Sequence, residues 1–501
     1  MSLLYDNVAS LMAAVVACVL AWLYGGTIGQ KLIPVVPWLV AFLVEISLCF
    51  PQRHPGETLY EARERVWYDL RHDALTWVVF GFLLLLMVPF LNKGLCPICD
   101  YPAIVEGADP SPTIPFFPYC VDRMGHLNVV LWFVPALLAM LAVKHSLGKR
   151  GKCFFVELVV WNGVALAVLG FVQQVLEAPA PLWLDVDFKL GHFFSTFGYP
   201  NMAGDYFTTL FALAVAAWRW RVKETDEDPQ VREMRKSGKL PYKVFCRKHV
   251  LLIPAFIFFF AALTTLSRAA IILVSVLAII FFLHSFASFF KTMHRVQRVK
   301  MIVSGLAIFV AVALAIVLFT PDDLQREVDT LNTSEVLNRV TGKGQYHVRV
   351  ATQIWKKNFL FGCGGWGYKH LCIPMMTDAE LRNIQQTGGI NVHNDHLQFL
   401  AEHGIVGFGC ILAIVVLLVI PVFKQWGVMF KAVRFLPSKE QPPRPMQLFV
   451  LPAPVFCILM GAMATIIHAF GDCPLRSPAV LTLFFTSLAA MDGYMPRMRE
   501  D

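Results

Sequence analysis

The chain has 501 residues, of which 57% are hydrophobic and 16% charged, with a net charge of +8 and a mean hydropathy of +0.58. A soluble globular chain carries about 25% charged residues, so an ordinary soluble domain is excluded. The positive charge needs no nucleic-acid partner, because most Lys and Arg residues flank long apolar stretches.

A membrane span takes about 20 mostly apolar residues. Twelve such stretches can be read, at 8–28, 32–50, 74–91, 126–143, 153–175, 197–218, 249–266, 269–290, 301–319, 405–423, 447–468 and 475–491. They are apolar all round, as helices facing lipid or one another must be. The first lacks a basic n-region and an Ala-x-Ala cleavage site, so it is expected to be a retained span. One alternating set of loops, with the C-terminal tail, holds 29 of the 43 basic residues. Basic short loops stay in the cytoplasm. Both termini are therefore expected inside, and the long loop 320–404 outside. The expected fold is an all-α polytopic membrane protein of about twelve transmembrane helices, with a large helical loop between spans nine and ten. It divides into spans one to nine (1–319), the loop with the candidate chemistry (320–404), and spans ten to twelve with the tail (405–501).

Loop 92–125 holds Cys96-Pro-Ile-Cys99 and Cys120, which suit a loop-stapling disulfide, a metal site or free thiols; the disulfide is the preferred reading. Phe197-Gly-Tyr-Pro-Asn201 opens the sixth span, with Pro200 suited to a first helical turn and Asn201 to a cap or a polar contact. Residues 221–243 mix charges of both signs and read as a solvated linker. Arg268 falls between two apolar stretches too close together for a long loop. An Arg at membrane depth needs an anion or a wet cavity, unless it snorkels to the interface.

Loop 320–404 is far longer than an ordinary connection, which marks a structured insert. Within it, 345–359 fits an amphipathic helix carrying Arg349, a side chain that binds phosphate bidentately or simply faces solvent. A Gly-rich turn, Phe361-Gly-Cys-Gly-Gly-Trp-Gly367, follows. Then comes His393-Asn-Asp-His, where Asn391 or Asn394 can cap a helix and Asp395 falls in its first turn. His393 can act as a general base or donate to a phosphate, or be structural. His393, Asp395 and His396 are too crowded for a metal site on one helix face. His468, Asp472 and Arg476 cluster in the last outer turn, where a structural ion pair is favoured over a role in lining a cavity.

Several of these segments together resemble the O-antigen ligase superfamily, which includes O-antigen polymerases and O-oligosaccharyltransferases. They are Ser195-Thr-Phe-Gly-Tyr-Pro-Asn201, Leu266-Ser-Arg268, Arg349 with Trp355 and the Gly-rich turn, and above all His393-Asn-Asp-His-Leu-Gln-Phe-Leu-Ala-Glu-His-Gly-Ile-Val-Gly407. The last outer turn, with Asp472, Pro474, Leu475 and Pro478, is also similar. The resemblance covers about residues 190–490; Tyr199 departs from the residue many members carry before Pro-Asn. It implies an inverting glycosyltransferase of the bacterial inner membrane, with its site facing the periplasm and needing neither metal nor cofactor. The implied donor is a glycan on undecaprenyl diphosphate. The implied acceptor is lipid A–core for a ligase, a growing polysaccharide for a polymerase, or a protein Ser or Thr for an oligosaccharyltransferase. It further implies His393, Arg268 and Arg349 as catalytic, with Asn394, Asn201, Tyr199, Trp366 and Arg476 against substrate. A secondary transporter is the alternative from another class, but the chain shows no matching halves.

Overall fold

The computed structural model describes residues 7–23, 25, 35–92, 114, 116–184, 192–236, 242–290, 346–378, 380–382, 390–434 and 451–495. These residues are all-α; the β-type pairing among them is an isolated bridge between Phe194 and Phe197. In chain order the helices are α1 (Val8–Trp22), α2 (Val35–Cys49), α3 (Leu59–His72), α4 (Ala74–Met87), α5 (Arg123–Ser146), α6 (Lys149–Val175) and α7 (Pro200–Glu227). They continue with α8 (Pro229–Lys236), α9 (Tyr242–His249), α10 (Leu252–Thr264), α11 (Arg268–Phe290) and α12 (Tyr346–Lys357). The last four are α13 (Gly367–Leu371), α14 (Asp395–Arg434), α15 (Ala453–Gly471) and α16 (Pro478–Ala490).

Among the described residues, seven helical segments are long and apolar enough to cross a membrane: Ala74–Leu91, Arg123–Ser146, Lys149–Val175, Cys246–Thr264, Arg268–Phe286, Asp395–Val428 and Ala453–Gly471. The chain is a multi-pass membrane protein. Eleven of the twelve apolar stretches read from the sequence coincide with helices, although α1, α2, α7 and α16 fall outside the seven. The expected ninth span (301–319), loop residues 320–345 and the Cys96–Cys99 pair lie outside the described residues, and Cys120 is a buried free thiol.

Lipid tails are as apolar as Leu, so close packing and polar contacts hold membrane helices together more than water exclusion does. α7 is the hub, packing on α15, α10, α11 and α6. Its Phe207 sits among Phe194, Phe197, Tyr206 and Phe258 in edge-on and tilted contacts. Small residues bring the backbones close: a Cβ on Gly461 of α15 would lie 2.7 Å from Ala212 of α7. All 13 residues of α16 are buried. At about 1.5 Å rise per residue it spans about 20 Å, and it joins two polar ends. One end holds the ion pair of buried Lys152 with exposed Asp492 at 2.7 Å, and the other begins at Asp472–Ser477.

Candidate active site

α15 ends at Gly471, and Pro474 in the following 3-10 turn prevents its continuation. Asp472 takes an extended conformation there, and its side chain turns inward until it is 8% exposed. Four neighbours point polar hydrogens at its carboxylate. The Tyr199 hydroxyl donates at 3.0 Å to Oδ1 and lies 3.2 Å from Oδ2, and Asn201 Nδ2 donates to Oδ2. The Cys473 amide donates to Oδ1 at 2.8 Å. His393 Nδ1 is 3.3 Å from the same oxygen. An ionised carboxylate only accepts, so Nδ1 carries the ring proton and Nε2 is the basic nitrogen of neutral His393. Burial pushes the Asp472 carboxyl up, but the hydrogen bond and charge of His393, the charge of His468 and the Cys473 amide outweigh it and hold the group below its usual value. Asp472 is therefore an anion that fixes His393 and balances its charge once the ring is protonated.

Local sequence explains how these groups meet. Pro200 opens α7, which leaves Tyr199 extended at the N-cap and Asn201 in the first turn. His393 adopts a left-handed conformation at φ 52°, a region in which His is several-fold enriched among non-glycine residues. Asn394 caps α14 through Leu397 N–H at 3.0 Å, and the Asp395 amide donates to the Asp472 carbonyl at 3.2 Å. The ring is 41% exposed, so it is the accessible face of the pair.

A second layer supports the first. Arg476 donates to Glu402 at 2.8 Å, lies 3.6 Å from Asp395 and stacks its guanidinium 4.7 Å from the Trp366 ring centre. Gln398 donates to Glu402 at 3.1 Å and accepts from the Val392 amide at 3.0 Å, which ties down the segment leading to His393. Both Arg476 and Trp366 thus engage protein groups around the pair. The Gly-rich turn docks on a break in α14 at Gly404, where φ is 63° and ψ −172°. There Cys363 N and Gly364 N donate to the Ala401 and Glu402 carbonyls, and Ile405 N and Val406 N donate to the Phe359 and Leu360 carbonyls. The four bonds run from 2.8 to 3.1 Å.

The two arginines reach the area from other elements. Arg268 opens α11, and the turn before it presses on α7 at Gly204, where a Cβ would meet Ser267 and Ala270. Gly204 lies between Asn201 and Asp205, so Arg268 belongs to the same end of the bundle. Arg349, on the exposed face of α12, pairs with Glu380 at 3.0 Å. Two residues earlier on α12, His347 places its ring 6.4 Å from that of His393. Burial, then the His393 charge, pushes the His347 imidazole down to about 4, so it is neutral at pH 7. The donor atoms of His393, Asp472 and Cys473 lie within 4.8 Å of one another. Cys473 Sγ and His393 Nδ1 both address Asp472 Oδ1, which already accepts from Tyr199 and an amide. A cation would have to displace that set.

Sequence reasoning favoured a structural ion pair for Asp472 over a role in lining a cavity, and it gave no individual role to Glu402, Gln398, His347 or Asp205. For Asp205 a signal existed: a single acid in the otherwise apolar start of α7. For the others the pairing is tertiary.

Residues 253–412 match a family model described as O-Antigen ligase. No curated protein matches the chain. The matched segment contains Arg268, Arg349, Trp366, His393 and Asn394, while Tyr199, Asn201, Asp472 and Arg476 complete the site from outside it. The segment from α10 into α14 that carries these residues matches the O-antigen ligase family model, which supports the likeness of this chain to the O-antigen ligase-like superfamily.

Proposed function

We propose that this chain is a metal-independent, inverting glycosyltransferase of the bacterial inner membrane that moves a glycan from undecaprenyl diphosphate to a hydroxyl acceptor. The observation that carries the reading is the His393–Asp472 pair, held at 3.3 Å beside a segment that matches the ligase family. In the proposed reaction His393 Nε2 takes the proton of the acceptor hydroxyl while the oxygen attacks the anomeric carbon. The bond to the lipid diphosphate breaks, and Asp472 stabilises the imidazolium that forms. Arg268 and Arg349 hold the departing diphosphate. The Arg349–Glu380 pair is about half-exposed at the arginine. Exposed ion pairs contribute only about 0–1 kcal/mol, so a diphosphate displaces Glu380 at little cost. Tyr199, Asn201 and Asn394 orient the acid and base, and Trp366 and Arg476 shape the site beside the sugars.

In the same proposal the chain crosses the membrane about twelve times with both termini in the cytoplasm. The basic end with Lys152 faces inward, and the loop of 320–404 and the His393 site face the periplasm, between a first part of nine spans and a last of three. The acceptor is lipid A–core in a ligase or a growing polysaccharide in a polymerase.

The test incubates purified protein with a polyprenyl-diphosphate-linked glycan, candidate acceptors and chelator, and compares wild type with His393→Ala. Loss of a general base removes about two to four orders of magnitude. Transfer by wild type and a loss of that size in the variant support the reading, and the acceptor used selects the subclass: lipid A–core, polysaccharide or a protein hydroxyl. Failure of wild type to release lipid diphosphate with any acceptor would reject it.

A further inference from the structure

Beneath the site, α7 and α15 share a polar seam whose lower rung the proposed chemistry does not use. Asn201 and Asp205 are one turn apart on α7, and His468 and Asp472 one turn apart on α15. The pairs face each other as two rungs. Asn201 reaches Asp472, and His468 Nδ1 lies 3.1 Å from Asp205 Oδ1. The Asp205 and His468 side chains are both 0% exposed. Thr465 donates to Asp205 Oδ2 at 2.9 Å and lies 3.1 Å from Thr209. A buried acid and imidazole on membrane helices carry a desolvation cost that simple helix packing does not require, and such groups mark functional positions by default. His468 Nε2 is buried with no partner among the described residues, a cost that an apolar pair would avoid.

We propose that Asp205 and His468 are positioning residues for the His393–Asp472 pair: they fix the register of α15 against α7 and set the electrostatic field in which Asp472 and His393 work. This rests on the transferase reading above. The covalent path is short. The Asp472 amide donates to the His468 carbonyl at 3.1 Å, so the two side chains leave adjacent turns of one helix end. The groups that face Asp472 are Tyr199, Cys473, His393 and His468, and those that act on His468 are Asp205, Asp472 and Asp395. The cation on His468 is one of the influences that keep Asp472 ionised.

The sign of the effect follows. Replacing His468 by Gln removes a positive charge one turn below Asp472. Replacing Asp205 by Asn removes an anion together with the support for that charge, so the two losses largely cancel at Asp472. The His468 change alone makes the surroundings of Asp472 and His393 more negative, so both groups bind protons more readily. Activity needs Asp472 ionised and His393 neutral, so the acidic limb of the kcat profile moves to higher pH.

The experiment measures kcat and KM for the lipid-linked donor across pH 5–8 for wild type, Asp205→Asn, His468→Gln and Thr465→Val. Thr465→Val removes a seam hydrogen bond without touching either charge. The expected result is an upward shift of the acidic limb in His468→Gln, a smaller shift in Asp205→Asn, a lower kcat at near-constant KM in both, and an unmoved limb in Thr465→Val. A limb that stays in place in His468→Gln while wild type is active overturns the proposal and leaves the seam as packing. If the charge variants do not fold, the same profile is run on Asp205→Glu, which keeps the charge; a shifted limb there also overturns it. An inactive wild type rejects the transferase reading itself.

Discussion

Replacing Gly404 by Ala should uncouple the Gly-rich turn from α14. The residue sits at φ 63° and ψ −172°, a region open almost solely to glycine, and an added Cβ would run into the Leu360 carbonyl and the Phe361 amide. These are backbone atoms and cannot swing aside. Holding a side-chain-bearing residue in that conformation costs about 1–3 kcal/mol. Relief requires the turn to move away, which breaks some of the four bonds that Cys363, Gly364, Ile405 and Val406 make between the two segments. At about 0.5–1.5 kcal/mol each, loss of two adds about 1–3 kcal/mol, for a total of roughly 2–6 kcal/mol. Glu402 and Trp366 lie on the two sides of this junction and both engage Arg476, so the cost should appear locally as loss of the support behind Asp395. Hydrogen exchange of the variant in detergent should show faster exchange at 359–367 and 401–406, with α7 and α10 unchanged, and transfer activity should fall at least tenfold. Unchanged protection at Cys363 and Gly364 together with near-normal activity would refute the reasoning.

Asp472→Asn should lower kcat by about two to four orders of magnitude, because the amide cannot balance a protonated His393 and its NH2 group must face a donor; single-turnover transfer by folded protein measures it. Arg268→Ala and Arg349→Ala should each reduce transfer about ten- to hundredfold, the worth of one charge-assisted contact at about 1.5–3 kcal/mol; normal rates in both would remove the diphosphate clamp. His347 binds its proton near pH 4 in the folded state and near 6.5 when unfolded. Between those values the unfolded chain holds more protons, so stability should rise with pH from about 4 to 6.5 and be flat above. His347→Gln should remove that part of the slope in pH-dependent thermal unfolding.

The helices were legible because a bilayer leaves few options: a run such as Ala74–Met87, with no charge in it, has nowhere else to go. The long loop was legible in its pieces. The amphipathic pattern of α12, the Gly-rich turn and the Asn394 cap all occur near where local rules put them. What the sequence withheld is pairing at a distance. His393 and Asp472 are 79 residues apart, and Glu402 and Arg476 74, and no local rule says which acid meets which base. α14 shows a second kind of limit. Its apolar run reads as one span, whereas the break at Gly404 depends on a turn that arrives from elsewhere. For Arg476 the residues alone favour an ion pair and the resemblance implies a place against substrate; its actual partners, Glu402 and Asp395, are visible only after folding.

The seam between α7 and α15 also constrains how the protein is made. Asp205 precedes His468 by 263 residues. At about 5–20 residues per second, α7 waits roughly ten to fifty seconds for its partner to leave the ribosome. During that wait Asp205, near the start of α7, lacks the imidazole and the Thr465 hydroxyl that it meets in the folded protein. The late helix therefore does more than close the bundle: its arrival commits α7 to a neighbour through Asp205 and His468, and the same event brings Asp472 to Asn201.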